Sequence, residues 1–207
     1  MNTLDKVAIT SRSFSANKYL VEELRARYAN ITLNNSGKTL VGSELLEFLN
    51  GQNKVIVGLE NFDKNLIDQL PELKVISKFG VGLNNIDLES MKEHSISLGF
   101  QSGTNKQSVA ELALMHIFIA LRKAPSSKED ISNNIWSQNK GHELFGKTIG
   151  IIGFGNIGQR LAELLEPFKC KIIFYDGIEF SKEELVDKFP SRSESFINNL
   201  QQSSLNE

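Results

Sequence analysis

Apolar and polar positions form short alternating blocks along the first hundred residues. Runs rich in β-branched residues, which are typical of strands, are separated by segments in which apolar residues recur every three or four positions, which is typical of helices. Strands that alternate with helices are expected to form a parallel sheet with helices on both faces, an α/β fold. The predicted strands are Val7–Thr10, Ile31–Leu33, Lys54–Val57, Lys74–Lys78 and Ser95–Leu98, and the predicted helices are Lys18–Arg27, Gly42–Leu49, Lys64–Leu70 and Leu88–Glu93.

The pattern changes after residue 100. A polar, glycine-containing break at Gln101–Asn105 precedes a helix predicted over Ser108–Arg122. Apolar residues occur on nearly every side of this helix, so we expect it to be buried between domains or between subunits. The polar stretch Lys123–Lys140 follows and contains Trp136, the one tryptophan of the chain, for which we expect a packing role.

A strand, a turn, a helix and a second strand near residue 150 carry the strongest functional pattern. The apolar run Thr148–Ile152 leads directly into the turn Gly153-Phe154-Gly155-Asn156-Ile157-Gly158, and a helical pattern follows. The second strand, Ile172–Tyr175, ends in Asp176. A G-x-G-x-x-G turn between a strand and a helix, with an acid about 20 residues further on, is the context of a dinucleotide-binding unit.

Each glycine of this motif has its own physical role. Gly153 permits the tight turn, Gly155 lets a pyrophosphate approach the backbone, and Gly158 lets the helix pack closely against the strand. The helix start at Asn156–Ile157 presents backbone N–H donors and the positive end of the helix dipole to the phosphates. Asp176 can accept hydrogen bonds from both ribose hydroxyls of the adenosine and would repel a 2′-phosphate, which favours NAD over NADP.

Two other interpretations of this unit stay open. One is a glycine-rich turn that binds no ligand. The other is a methyltransferase that binds S-adenosylmethionine, which can also place a glycine loop and an acid after successive strands. A methyltransferase does not need the third glycine at this spacing, so NAD is the cofactor that the pattern favours.

Composition narrows the class of protein without deciding its function. The 207 residues include 25 acidic and 23 basic side chains, a formal net charge of −2, so neither nucleic acid nor an anionic membrane is an expected partner. The single cysteine, Cys170, excludes an internal disulfide and a thiolate metal cluster, and we predict no metal site. The absence of a signal pattern and of a membrane-length apolar run predicts a cytoplasmic protein.

Three segments together resemble the D-isomer-specific 2-hydroxyacid dehydrogenases, the phosphoglycerate dehydrogenase-like family. Their order and their spacing match that family between about residue 50 and about residue 180. The segments are Lys74–Asp87 (KVISKFGVGLNNID), Asn105 followed by Ser108–Leu112 (SVAEL), and Leu144–Gly158 (LFGKTIGIIGFGNIG).

The resemblance implies two doubly wound domains, a flavodoxin-like substrate (lid) domain over residues 1–101 and a Rossmann NAD-binding domain over residues 102–207. In this family a Gly-Val-Gly loop presents backbone N–H groups to the substrate carboxylate, a role that falls on Val81 and Gly82. A plain tight turn after a strand is the alternative for these two residues. Asn105 corresponds to an asparagine near the family's cleft and could also cap the next helix.

The resemblance further implies NAD-linked oxidation of the CH–OH group of a small 2-hydroxy acid, such as 3-phosphoglycerate, or reduction of the corresponding 2-keto acid. The family's catalytic Arg, Glu and His follow the second strand of the NAD-binding domain. After Asp176 this sequence has no histidine and one arginine, Arg192, which stands too early. We therefore assign no catalytic residue. His116 is expected to pack within its helix, and His94 and His142 to be solvated.

This comparison leads to the expectation that the Rossmann domain is incomplete, truncated after its second strand, and that turnover is impaired. Two functional hypotheses follow. The first is an NAD-binding oxidoreductase of this family. The second is a non-enzymatic NAD-binding or assembly module that pairs with a full-length paralogue. In either case the helix Ser108–Arg122 is the expected contact for a homodimer or a paralogue partner.

Overall fold

The computed structural model describes residues 2–203, which form two compact units that divide between Thr104 and Asn105. The domain boundary predicted from the sequence lies after residue 101. Unit 1 (residues 2–104) contains β1 Asn2–Ile9, α1 Arg12–Ser15, α2 Lys18–Arg27, β2 Tyr28–Leu33, α3 Gly42–Leu49, β3 Lys54–Val57, α4 Lys64–Ile67, β4 Val75–Lys78, α5 Leu88–Glu93 and β5 Ser97–Gly99. Unit 2 (residues 105–203) contains α6 Lys106–Leu121, α7 Ala124–Ser132, β6 Thr148–Ile152, α8 Asn156–Leu165, a 3-10 turn Glu166–Phe168, β7 Lys171–Tyr175, α9 Lys182–Lys188, α10 Glu194–Asn198 and β8 Leu200–Gln202.

Unit 1 is built on a five-stranded parallel sheet with the strand order β2-β1-β3-β4-β5, the flavodoxin-like order. Alternate residues of β3 face opposite sides of this sheet. Val55 and Val57 pack into the core formed with α3, α4 and α5, while Ile56 packs against the cluster formed by β1, α1 and α2. Helices α2, α4 and α5 each begin at a side chain that accepts a backbone N–H of the first turn, and these caps are Asn17, Asp63 and Asp87.

Unit 2 is built on a three-stranded parallel sheet with the order β6-β7-β8. The strand β6 lies at one edge of this sheet in the described part of the chain, and Ile152 at its end is 91% exposed. The helix α8 packs its apolar face, which includes Leu161 and Leu165, into a core that also contains residues of β7, α9 and α10. This arrangement confirms the α/β fold class with parallel sheets.

The expectation that the second sheet stops after two strands is wrong, because β8 pairs with β7 in parallel register, with Leu200 opposite Ile172. The preceding helix, α10, ends at Asn198, and Leu200 begins β8. The reason is local. The strand Leu-Gln-Gln has a single apolar residue and therefore lacks the alternation by which a half-buried strand is identified.

Within unit 2, Ala110 is the one buried residue of helix α6, while Leu112 and Met115 are 49% and 45% exposed. The expected burial of this helix between domains or between subunits stays a prediction. His116 does not pack within its helix, since it is exposed. Trp136 does not anchor a core, since it is 96% exposed. Within unit 2 the helix α6 packs on α8 along one side, so the apolar residues on its other sides stay uncovered. None of the helices in residues 2–203 has the length and apolar character needed to cross a membrane.

Candidate functional site

The turn after β6 brings the glycine motif into contact with the acid after β7. Gly153 adopts a φ of +91°, a region that favours glycine, and its N–H donates to the carbonyl oxygen of Tyr175 at 2.8 Å. The N–H of Phe154 donates to Oδ2 of Asp176 at 2.6 Å. The carboxylate at the end of the second strand is therefore held directly against the glycine turn.

The other two glycines of the motif differ in what surrounds them. A Cβ atom on Gly158 would lie 2.2 Å from the carbonyl oxygen of Gly153 and 3.1 Å from Cγ2 of Ile151. A Cβ atom on Gly155 would meet no atom within 4 Å. Gly158 thus allows α8 to approach β6, while Gly155, directly before the first residue of α8, Asn156, leaves the backbone of the turn accessible to a ligand.

A groove lies beside this turn at the carboxyl ends of β7 and β8. It has a volume of about 520 Å³, which is within the usual range for small-molecule sites. Its walls are formed by Tyr175, Asp176, Gly177, Glu179, Phe180, Gln202 and Ser203. In open parallel sheets this edge, outside the carboxyl ends of the strands, is where ligands bind.

Gln202 organises one wall of the groove and was missed by the sequence analysis. Its Oε1 accepts the N–H of Phe180 at 2.9 Å, and its Nε2 donates to the carbonyl oxygen of Ile178 at 2.9 Å. The N–H of Ile178 in turn donates to Oδ1 of Asp176 at 3.2 Å. No signal for Gln202 was available because its role follows from β8, which the pattern did not predict.

Phe154, the variable residue between the first two glycines, was also missed. It is fully buried and stacks on Phe174 of β7, with ring centroids 3.9 Å apart and planes inclined by 16°. The side chain therefore fixes the turn to the core while the backbone N–H of the same residue bonds Asp176. A large apolar residue at this position of the motif is a signal that could have indicated a core contact.

The loop after β4 carries the two residues predicted to bind a substrate carboxylate. Val81 is half-buried and Gly82 is exposed, and within residues 2–203 no acceptor is found for the N–H group of either. Gly80, just before them, has a φ of +146°. Two free, adjacent N–H donors at the carboxyl edge of a parallel sheet are suited to an anionic group.

Asn105, the third predicted substrate contact, stands at the N-cap position of α6 but its side chain does not cap the helix, contrary to the alternative role we gave it. Its backbone carbonyl accepts hydrogen bonds from the hydroxyl of Ser108 at 3.0 Å and from the N–H of Val109 at 3.1 Å. Asn105 belongs to unit 2, whereas Val81 and Gly82 belong to unit 1.

Burial alters the titration of two groups outside the glycine turn. Burial raises the pKa of the Cys170 thiol, which points to the carbonyl oxygen of Leu144, so this thiol is not an activated nucleophile. Burial also lowers the pKa of the Lys78 ammonium at the end of β4, an effect that the charge of Glu60 opposes.

Within the described residues no three His, Cys, Asp or Glu side chains are grouped so that they could hold a metal ion.

A sequence model of the D-isomer-specific 2-hydroxyacid dehydrogenase catalytic domain matches residues 7–202. The chain belongs to the D-isomer-specific 2-hydroxyacid dehydrogenase family. This confirms the membership predicted from the three sequence segments. The match therefore also covers most of the first fifty residues, which lie outside the three segments that carry the resemblance.

Several known proteins are similar to this chain over part of their own length. It is 40% identical over 114 residues to hydroxypyruvate reductase of Thermotoga maritima, covering 54% of this chain and 37% of that protein. It is 34% identical over 140 residues to D-3-phosphoglycerate dehydrogenase of Methanocaldococcus jannaschii, covering 66% of this chain and 27% of that protein. The crystal structure of an NAD-dependent formate dehydrogenase from Staphylococcus aureus in complex with NAD matches with a TM-score of 0.72 and 26% identity, covering 99% of this chain and 61% of that one. The chain thus spans less than two thirds of each of these relatives.

Proposed function

We propose that unit 2 binds the ADP-ribose part of NAD as the cofactor-binding portion of a 2-hydroxyacid dehydrogenase. The observation that carries this proposal is the 2.6 Å hydrogen bond from the N–H of Phe154 to Asp176, which places a carboxylate at the base of an open glycine turn. Bound NAD would accept a hydride from the CH–OH carbon of a 2-hydroxy acid. The residues of this chain would bind and orient the cofactor.

Different residues of the site would contact different groups of ADP-ribose. The open backbone at Gly155 and the first turn of α8, Asn156–Ile157, would receive the pyrophosphate, because the N–H groups at a helix start are donors and the dipole there is positive. Asp176 would accept hydrogen bonds from the ribose hydroxyls, and its negative charge disfavours the 2′-phosphate of NADP. The groove walled by Phe180 and Gln202 would hold the adenine.

We assign the substrate (lid) role to residues 1–101 and the NAD-binding role to residues 102–207. In the lid domain the N–H groups of Val81 and Gly82 would bind the carboxylate of a small 2-hydroxy or 2-keto acid, such as 3-phosphoglycerate. Asn105 is retained as a substrate contact on the family resemblance alone. No acid–base residue is assigned within this sequence. The single buried thiol, Cys170, suits a cytoplasmic location.

Calorimetric titration tests the cofactor assignment. The wild-type chain and an Asp176→Asn variant would be titrated with ADP-ribose, NAD, NADP and S-adenosylmethionine. We expect ADP-ribose and NAD to bind with similar affinity, because the proposed site contacts their shared half. Asp176→Asn should weaken both by about tenfold or more, the cost of losing charge-assisted hydrogen bonds, and should narrow the preference for NAD over NADP.

A matched control is Asp187→Asn, which removes an exposed carboxylate from α9 in the same unit. This variant should bind ADP-ribose as the wild type does. Folded wild-type protein that binds no ADP-ribose would contradict the proposal, and binding of S-adenosylmethionine in its place would favour the methyltransferase interpretation.

We also propose that α6 forms a contact with a second copy of the chain. Leu112 and Met115 lie about half-exposed on a helix whose apolar residues extend round most of its surface, and a symmetric dimer is the most common way to cover such a face. Light scattering on the purified chain would show the dimer. A partner recovered in place of a second copy would support the assembly-module hypothesis.

A further inference from the structure

A buried polar cluster joins the carboxyl ends of β1, β3 and β4 in unit 1. The strand order of this sheet places the topological switch point between β1 and β3. Glu60, in the loop after β3, is 1% exposed. Its Oε2 accepts hydrogen bonds from the N–H of Gly58 and the hydroxyl of Thr10, both at 2.9 Å. The carboxylate therefore ties the end of β1 to the loop after β3.

The same cluster continues to the loop after β4. Nζ of Lys78 donates to the carbonyl oxygen of Gly58 at 2.5 Å and to Oδ1 of Asn85 at 2.7 Å. Nδ2 of Asn85 donates to the carbonyl oxygen of Glu60 at 2.6 Å. Lys78 and Asn85 stand on either side of residues 79–84, so the bond between their side chains closes the base of the loop that carries Val81–Gly82.

The backbone anchors this loop near its ends. The N–H of Phe79 donates to the carbonyl oxygen of Val57, and the N–H of Phe62 donates to the carbonyl oxygen of Asn85, each at 2.8 Å. Between these anchors Val81 and Gly82 have no hydrogen-bond acceptor within the described residues. A loop with free amides in its middle is held in shape by what fixes its base, and here side chains supply that constraint together with the backbone.

We propose that Lys78, Asn85 and Glu60 are positioning residues that hold the 79–84 loop ready to present the N–H groups of Val81–Gly82 to a carboxylate. Preorganisation of this kind strengthens binding because the ligand does not have to order the loop. Glu60 contributes by fixing Gly58, to which Lys78 binds, and by supplying a negative charge near the ammonium group. The identity of the ligand in this inference rests on the proposed function. The clasp, by which we mean the hydrogen bonds of the Lys78, Asn85 and Glu60 side chains at the base of the loop, does not.

Nuclear magnetic resonance on the full chain tests the rigidity of the loop separately from its binding of a carboxylate. Order parameters of the Val81 and Gly82 amides measure the rigidity of the loop, and a titration with oxalate measures carboxylate binding. The variants are Lys78→Met and Asn85→Ala, which open the clasp, and Lys78→Arg, which keeps a cationic donor. The control is Lys92→Met, which removes an exposed lysine from α5 of the same unit.

For the Val81 and Gly82 amides we expect order parameters of about 0.85 in the wild type and in Lys92→Met. In Lys78→Met and Asn85→Ala we expect values below about 0.6. Oxalate affinity should fall about tenfold in the clasp variants, the effect of losing one hydrogen bond, and Lys78→Arg should recover most of it. If Lys78→Met does not fold, the result for Asn85→Ala alone decides whether the clasp keeps the loop rigid.

A loop that stays rigid in the folded clasp variants would overturn the inference. A loop that loses rigidity while the wild type binds no oxalate would support the clasp and would refute the proposed carboxylate site. Equal oxalate affinity in the wild type and a loosened variant would overturn the claim that positioning matters for binding.

Discussion

Replacing Gly158 by alanine separates the packing role of the glycine motif from its binding role. The new Cβ would lie 2.2 Å from the carbonyl oxygen of Gly153, whereas real Cβ atoms essentially never approach another atom within 3.0 Å. The helix α8 or the turn must then move by about 0.8 Å, since the obstacle is backbone and cannot rotate away as a side chain can.

The expected cost of this substitution is the difference between two opposing effects. Forcing an extra carbon into a packed site costs up to about 3 kcal/mol. Alanine in place of glycine inside a helix regains about 1 kcal/mol. Because the overlap is with a backbone atom, the upper value applies, and the net destabilisation of unit 2 is about 2 kcal/mol. This corresponds to a fall of about 8–16 °C in the unfolding midpoint of a unit of roughly 100 residues.

Gly155→Ala is the matched control because its Cβ meets no atom within 4 Å and its φ of −77° suits alanine. By thermal unfolding followed by circular dichroism, this variant should lie within about 1 kcal/mol of the wild type, the cost of alanine in place of glycine at the N-cap of α8. Its affinity for ADP-ribose should fall because the methyl group obstructs the pyrophosphate. An unchanged midpoint for Gly158→Ala, or an equally large loss for Gly155→Ala, would refute the assignment of packing to one glycine and access to the other.

Three further predictions concern stability and assembly. Phe154→Ala should destabilise unit 2 by about 3–5 kcal/mol in urea unfolding, whereas Phe145→Ala, at a side chain that is 58% exposed, should cost far less; similar costs would contradict the core role of Phe154. The backbone N–H of Ser90 lowers the pKa of Asp87 below its ordinary 3.8, so this stabilisation is present above that pH and is lost as the pH falls through the lower folded-state pKa. Asp87→Asn keeps a cap acceptor but cannot titrate, so it should flatten that part of the acid-unfolding curve; an unaltered curve would show that the titration of Asp87 does not contribute. Leu112→Glu should convert the proposed dimer to a monomer in light scattering, and a persistent dimer would place the contact elsewhere.

The helices of unit 1 were largely predictable because their starts carry local signals. Helices α2 and α5 have the predicted bounds, and each begins after a side chain that caps it, Asn17 and Asp87. The four-residue helix α1 was not predicted, although Ser11 caps it. Four residues are little more than one turn, so they do not show a helical period.

The contacts of the polar cluster could not be predicted from the sequence. Glu60, Lys78 and Asn85 are separated along the chain, and each by itself has the composition of an exposed loop or strand end. They meet because β1, β3 and β4 are neighbours, and the order of strands in a sheet is a property of the whole unit. The same holds for Gln202, whose partners depend on β8.

The glycine motif, by contrast, could be predicted from the spacing of its residues. The strand, the turn and the helix lie where the pattern placed them, and the steric need for Gly158 is confirmed by its distance to Gly153. The ribose role of Asp176 stays a prediction, because its structural partners are the N–H groups of Phe154 and Ile178.

The exposure of Trp136 gives this chain an optical property that its composition alone does not reveal. An indole that is 96% exposed in the folded protein emits close to the wavelength of an unfolded chain, so unfolding should hardly shift the emission. A blue shift seen in folded protein would instead report that something has covered residue 136, and fluorescence would follow association at that surface without an added dye.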